Sequence, residues 1–86
     1  MTATARRDLE RIPPRIVPAI IEFTFGELAA GPHRVGKALQ RELEGLFSAR
    51  RGAYRILYSI DDDRNRVNVL RIDHRSNVYR NDSRGG

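Results

Sequence analysis

Arginine is the residue type through which this 86-residue chain is best equipped to do chemistry. Sixteen basic residues stand against 11 acidic ones, which leaves a formal net charge of +5 at pH 7. Lys37 is the only lysine among those 16, so the other 15 are arginines. An excess of positive charge on a small chain favours a polyanion such as nucleic acid, and the planar guanidinium group matches the geometry of phosphate. A GC-rich genome would explain the preference for arginine over lysine, but not the positive balance.

The composition excludes several other kinds of site. The chain has no cysteine, which excludes a disulfide framework, a thiolate metal site and a cysteine nucleophile. Its two histidines, His33 and His74, lie far apart without ligand spacing, so we expect neither a metal nor another cofactor. No apolar run approaches the ~20 residues that span a bilayer, and no segment resembles a signal peptide. We therefore expect a soluble, cytoplasmic protein without a membrane partner.

The first helix is predicted from apolar spacing near the N-terminus. Ala5, Leu9 and Ile12 fall on one helical stripe, with Thr4 as the predicted N-cap. Pro13-Pro14 ends this helix, because proline lacks the N–H group that the next turn needs.

A second helix is predicted from the wide apolar band between Ile16 and Leu28. Pro18 is awkward in its first turn, so either the helix begins near Pro18 or that turn is distorted. Gly31-Pro32 is a stop signal. The two helices together predict a helical hairpin with one shared apolar side.

Three strand-like runs follow a polar and basic middle segment. They cover Leu46–Arg50, Tyr54–Asp61 and Arg66–Asp73, and short turns that contain Gly52 or the acidic Asp61–Asn65 cluster separate them. The spacing predicts an antiparallel meander. The fold class is therefore α+β: two N-terminal helices packed on a small antiparallel sheet, in a single domain of residues 1–86 with a frayed tail at 81–86.

The two faces of the predicted sheet differ in character. Ile56, Tyr58 and Ile60 alternate along one face, which should receive the helices. We expect Tyr58 to pack in the core. The other face carries Arg55, Leu57 and further arginines, joined by one set from the last strand: Val67, Val69 or Leu70, and Ile72. A half-apolar, half-basic face is typical of a surface that a partner covers, although the tail could also cover it.

Four stretches in order resemble the RelE/ParE superfamily of bacterial toxins, and the RelE-type branch most of all. They are Leu43–Tyr58 (LEGLFSARRGAYRILY), the ending His74–Tyr79 (HRSNVY), and the earlier Ala5–Leu9 and Pro32–Leu39. The superfamily usually opens with a β-strand before the first helix. Here that strand is missing or reduced to Met1–Ala3, which would leave an exposed sheet edge.

The resemblance implies the toxin of a type II toxin–antitoxin system that acts as a ribosome-dependent mRNA endonuclease. RelE-like toxins enter the ribosomal A site, cut the message within the codon, and so stop translation and growth. They use no metal and no small-molecule substrate: the 2′-hydroxyl attacks the adjacent phosphate. That reaction needs a base, cations for the crowded phosphorane and an acid for the 5′-oxygen. The implied partners are the ribosome, mRNA and a cognate antitoxin, RelB-like or of another type II class.

The same resemblance implies a set of catalytic residues. Arg55 would contact the scissile phosphate with Arg50 as a clamp, His74 would transfer a proton, Arg75 would stabilise charge, and Tyr79 would orient the nucleotide. We expect these side chains to converge on one exposed patch. Four of them have a plainer interpretation: a surface ion pair for Arg55, a solvated turn for Arg50, a structural histidine for His74 and core packing for Tyr79.

A second group of cations is predicted to bind RNA without taking part in the reaction. Arg34, Lys37 and Arg41 lie in one basic stretch and would contact the ribosomal RNA backbone, unless they only form a solvated surface. Arg51 and Arg71 are the other two candidates.

The second strand departs from the RelE pattern. Well-characterised members often carry lysines there, but this chain has Leu46, Phe47, Ser48 and Ala49. The general base is therefore unidentified, since arginine has a pKa above about 12 and is a poor base. This departure keeps two alternatives open: a ParE-like poison of DNA gyrase, and an inactive homologue that acts only as a binding module.

Overall fold

The computed structural model describes residues 1–74, so the predictions for Arg75, for Tyr79 and for the tail at 81–86 lie outside the described residues. Three helices precede or flank a four-stranded antiparallel sheet. The elements are α1 (Ala3–Glu10), α2 (Val17–Phe23), α3 (Pro32–Val35), β1 (Lys37–Ala38), β2 (Leu46–Arg51), β3 (Tyr54–Asp61) and β4 (Arg66–His74). A π-helical segment at Thr24–Leu28 and a 3₁₀ turn at Arg41–Leu43 complete them.

Helix α1 begins earlier than the sequence pattern predicts. Its N-cap is Thr2, whose backbone is extended and whose hydroxyl oxygen accepts a hydrogen bond from the Ala5 N–H at 3.0 Å. The prediction of Thr4 is wrong because Thr4 already lies inside the helix, where its hydroxyl cannot cap the first turn.

The start of helix α2 decides between the two alternatives for Pro18, a helix that begins near this residue or a distorted first turn. The helix begins at Val17, so Pro18 lies in the first turn, where its missing N–H costs nothing. The helical path continues through the π-helical segment and ends at Gly31, as the Gly31-Pro32 signal predicts.

The sheet has the order β1-β2-β3-β4, and each strand pairs antiparallel with its neighbour in sequence. The predicted meander of the last three strands is confirmed. Strand β1 was not predicted, because two residues are too short to show an alternating pattern.

A register shift between β3 and β4 corrects the predicted second face of the sheet. Leu57 lies opposite Arg71 while the next residue, Tyr58, lies opposite Val69, so β4 has one extra residue at Leu70. A bulge of this kind reverses the alternation along the bulged strand. As a result Val69 and Ile72 both face the helices, and so does Val67 opposite Ile60. The expectation that these three share a face with Leu57 is wrong.

The core lies between the helices and this face of the sheet. Ile56 and Tyr58 are fully buried, and Ile60 packs against the same cluster, as predicted. The helices contribute Ala5, Ile12, Ile20 and Leu28, and the sheet adds Ala49, Val69 and Ile72.

Helix α1 covers the edge of β4. The sequence predicts an exposed edge of the sheet, because the first strand of the superfamily is missing or reduced. The Thr2 N–H donates to the Val69 carbonyl and the Thr2 hydroxyl donates to the Leu70 carbonyl, both at 2.9 Å. The Ile72 N–H donates to Oδ2 of Asp8, also at 2.9 Å. These contacts satisfy polar groups of the edge that would otherwise be available to another strand.

Candidate phosphate-binding face

The face of the sheet turned away from the helices brings together several of the predicted site residues. In an antiparallel sheet, directly opposed residues point to the same side and successive residues alternate. Ala49, Ile56 and Ile72 oppose one another on the helix side. Their neighbours therefore point the other way. We call this surface the arginine face; it consists of Ser48, Arg50, Arg55, Leu57, Arg71 and Asp73.

Two arginines occupy adjacent strands on the arginine face. Arg50 lies opposite Arg55, and Arg55 in turn lies opposite Asp73. Nη1 of Arg55 donates to Oγ of Ser48 at 3.5 Å, which directs the half-buried guanidinium towards β2. Like charges in directly opposed positions repel, so the pair is better suited to hold an anion between them than to stabilise the sheet.

Arg71 belongs to the same face but is engaged by a carboxylate. Its Nε and Nη2 donate to Oδ2 and Oδ1 of Asp8 at 2.9 and 3.4 Å, and Nη2 lies 3.8 Å from Oδ2 of Asp73. The hydrogen bonds that Arg71 donates to Asp8 raise the pKa of Arg71, against the opposing effect of burial. The predicted RNA-binding residue thus ties β4 to α1.

His74 lies on the opposite side of the sheet from Arg55. It is opposed to Tyr54, which packs against the core, and the two rings meet edge to face with centroids 5.4 Å apart. The expected convergence of Arg55 and His74 on one patch is therefore not found. His74 points to the same side as its partner Tyr54, and Arg55, the next residue on β3, points to the other side. The third predicted member, Tyr79, lies outside the described residues.

Arg51 also lies on the helix side, opposite Tyr54. It lines a shallow cleft of about 420 Å³ at the end of β2, together with Arg50 and the acidic residues Glu22 and Glu27. The two carboxylates make this position less favourable for a phosphate than the arginine face.

The predicted basic stretch does not form a single surface. Arg34 lies in α3 and lines a cleft near the β3–β4 turn, where the adjacent His33 pairs with Asp62 at 2.9 Å. Arg41 begins the exposed 3₁₀ turn. Lys37 lies in β1, directly opposite Ser48.

Two further properties concern the described part of the chain. Residues 1–74 contain no group of three or more metal-ligating side chains that could hold a metal ion. No helix within the same residues is long and apolar enough to cross a membrane.

Comparison with known proteins identifies the family. Residues 1–79 match the family described as the ParE toxin of the type II toxin–antitoxin system ParDE. This chain is a type II toxin of the RelE/ParE family. Its relatives include two proteins of Mycobacterium tuberculosis. Toxin RelG is 61% identical over 79 residues, which cover 92% of this chain and 91% of the relative. Toxin RelE is 55% identical over 80 residues, which cover 93% and 82%.

A solved structure supports the fold of this RelE/ParE toxin. The crystal structure of the toxin–antitoxin complex RelBE2 from Mycobacterium tuberculosis contains a chain with 62% identity and a TM-score of 0.82. The match covers 85% of this toxin and 90% of that chain. The α+β architecture of helices on an antiparallel sheet is therefore confirmed.

Sequence reasoning missed two residues that shape the toxin's arginine face. Asp8 lies in the stretch that resembles the superfamily, but nothing in a single sequence links it to Arg71. Ser48 stands in the second-strand segment that was noted only for lacking lysine, and its contact with Arg55 depends on the strand register. Both contacts join residues on different elements, so a local pattern carries no signal for them.

Proposed function

We propose that this toxin is a ribosome-dependent mRNA endonuclease that cuts the message in the ribosomal A site and thereby stops translation. The observation that carries the proposal is the pair of opposed arginines, Arg50 and Arg55, beside Ser48 on the face away from the helices. The names of the two curated relatives, RelG and RelE, favour the RelE branch over a gyrase poison.

The proposed reaction is a transfer within the RNA chain. The 2′-oxygen forms a bond to phosphorus while the bond between phosphorus and the 5′-oxygen breaks, and the products are a 2′,3′-cyclic phosphate and a 5′-hydroxyl. The 2′-hydroxyl loses a proton and the 5′-oxygen gains one, so the balance needs no metal and no water. Arg55 and Arg50 would stabilise the negative charge that builds up on the phosphorane oxygens.

Proton transfer must fall to other groups, because a guanidinium does not give up its proton in a protein. His74, the proton donor or acceptor that the resemblance implies, is not placed to act on a phosphate held between Arg50 and Arg55, so proton transfer falls to a group other than His74. His74 ends β4 on the far side of the sheet, one residue beyond Asp73. Arg75 and Tyr79 follow it in sequence and remain predictions for charge stabilisation and for orienting the nucleotide.

The proposed regulatory partner is a cognate antitoxin in the same cytoplasm. The solved structure that this toxin resembles is a complex with an antitoxin. The arginine face offers exposed Arg50, half-buried Arg55 and half-buried Leu57, which suit a segment with acidic and apolar side chains.

Primer extension on translated messages tests the proposed activity. Induction of the wild-type toxin should produce cuts in phase with the codons, and Arg55→Ala should abolish them. Arg64→Ala is the matched control, because Arg64 lies in the exposed β3–β4 turn away from the arginine face. Intact message in growth-arrested cells would contradict the proposal, and a gyrase supercoiling assay would then test the ParE-like alternative. Normal growth on induction would indicate a binding module.

A further inference from the structure

The only lysine of the toxin lies in register with the arginine face. In the pairing of β1 with β2, Lys37 is opposed to Ser48, and Ser48 is opposed to Leu57 on β3, which is opposed to Arg71 on β4. One row of side chains thus crosses all four strands. The neighbouring row consists of Ala38, Phe47 and Tyr58, each opposed to the next. The rings of Phe47 and Tyr58 stack on the side of the sheet that faces the helices, so the row with Lys37 must point to the other side.

Lys37 is close enough to share an anion with Arg55. The Leu39 N–H bonds to the Leu46 carbonyl at 2.9 Å, so Lys37 and Ser48, two positions along, form the same type of pair with Cα atoms roughly 5.5 Å apart. The Arg55 guanidinium reaches from β3 to Oγ of Ser48 at 3.5 Å. Ser48 therefore neighbours both residues, opposite Lys37 in the register and within hydrogen-bond distance of Arg55, and the flexible four-carbon chain of the lysine is long enough to bring its ammonium to the same place.

The charge environment of Lys37 differs from that of Arg71 at the other end of the row. Arg71 is held by Asp8. Lys37 is exposed, and within residues 1–74 no carboxylate lies within 4.0 Å of its ammonium. An ammonium with three rotatable donors and no carboxylate partner within residues 1–74 is available to an arriving phosphate.

We propose that Lys37 contacts the scissile phosphate as the second cation beside Arg55, and takes from strand β1 the place of the lysines absent from β2. The inference rests on the proposed endonuclease function. The ammonium would donate to a non-bridging oxygen of the phosphorane while the bond from the 2′-oxygen to phosphorus forms and the bond to the 5′-oxygen breaks. Lysine gains and loses no covalent bond in this step. This role separates Lys37 from Arg34 of the same stretch, which lines the cleft near the β3–β4 turn.

Single-turnover cleavage on ribosomes programmed with a defined codon tests the proposal. Lys37→Met should lower the rate constant of cleavage about 10- to 100-fold, the loss expected when one charged donor is removed from a transition state. Lys37→Arg keeps the charge and should stay within about fivefold of the wild type. Arg64→Met, which removes a cation from the exposed β3–β4 turn away from the arginine face, is the matched control and should stay within about twofold.

A second measurement does not depend on cleavage. A 2′-O-methyl trinucleotide has no attacking hydroxyl, so its affinity for the toxin reports only on contacts to the backbone. Lys37→Met should reduce the slope of log affinity against log salt by about 0.7, the contribution of one phosphate contact to a single strand, and Arg64→Met should not.

Two results of the rate measurement would overturn the role of Lys37: cleavage by Lys37→Met at the wild-type rate, or a loss no larger than that of Arg64→Met. A third would be an unchanged salt slope for the trinucleotide. Failure of the wild type to cut any message would instead overturn the proposed function, and the trinucleotide would still decide whether Lys37 contacts a phosphate. Melting curves of both variants control for folding, and no loss is expected at an exposed side chain.

Discussion

Arg50 and Arg55 lie directly opposite each other on β2 and β3, so two positive charges project from adjacent strands onto the same face of the sheet. Opposed residues of like charge destabilise an antiparallel pair. Asp73 faces only one of them, Arg55, from β4. The arrangement opposes stability and favours anion binding, and the two effects can be separated by mutation.

Replacing Arg50 should stabilise the fold and weaken the activity. Arg50→Met removes the repulsion and should raise the free energy of unfolding by about 0.2–1 kcal/mol, because like-charged opposed pairs cost an amount of this size. The same variant should cut message more slowly. Urea denaturation and primer extension measure the two quantities. Arg64→Met, in the exposed β3–β4 turn, is the control and should not lower the rate. A less stable Arg50→Met variant would contradict the interpretation.

Removing the carboxylate of Asp8 should destabilise the toxin strongly. Asp8 is 6% exposed and accepts hydrogen bonds from Arg71 and from the Ile72 N–H. Asp8→Ala leaves a buried N–H and a guanidinium without their acceptor, which should cost about 2–4 kcal/mol. Asp8→Asn keeps one acceptor oxygen and should cost less. Glu10→Ala, on the exposed side of α1, should stay within about 0.5 kcal/mol of the wild type in the same denaturation experiment. An equal loss in both alanine variants would disprove the role of this contact.

Tyr58 should contribute stability that disappears at alkaline pH. Burial raises its pKa above the ordinary 10.0, and a backbone hydrogen bond with Gly36 opposes part of that effect. The folded state therefore holds the neutral phenol more tightly than the unfolded state does. Its contribution is complete below about pH 10 and is lost as the pH rises through the raised pKa.

The measurement is the difference in unfolding free energy between the wild type and Tyr58→Phe as a function of pH. Tyr58→Phe loses the 2.7 Å hydrogen bond to the Pro32 carbonyl and should cost about 1 kcal/mol at neutral pH. The difference should be flat from pH 7 to about 9.5 and should shrink above about pH 10. A difference that grows with alkaline pH would contradict this assignment.

Gly36 should not tolerate a side chain, for reasons of space alone. A Cβ atom there would lie 2.0 Å from Oη of Tyr58 and 3.0 Å from the Ser48 carbonyl oxygen. Gly36→Ala should therefore displace the Tyr58 ring and cost about 1–3 kcal/mol by overpacking. Gly26→Ala, where a Cβ atom meets nothing within 4 Å, is the control. Combining Gly36→Ala with Tyr58→Phe should recover part of the loss, because the phenylalanine lacks the clashing oxygen.

Local patterns in the sequence were sufficient for the main elements. The strands β2, β3 and β4 follow from alternation and turn residues, and the burial of Ile56 and Tyr58 follows from their parity. Glycine and proline at 31 and 32 stop the helix at the predicted point. These features depend on backbone preferences and on a period of two or 3.6 residues, which neighbouring residues express without help from distant ones.

The composition of the arginine face depended on contacts between residues that are far apart in the sequence. Asp8 and Arg71 are 63 positions apart, and a one-residue bulge at Leu70 decides which side chains of β4 face the helices. The same register separates His74 from Arg55, and a two-residue strand brings Lys37 to Ser48. The sequence determined which side chains exist and which segments are helix or strand. Only the tertiary structure decided which of them meet, because strand register is set by packing of the whole core and one residue of slip moves a side chain to the other face.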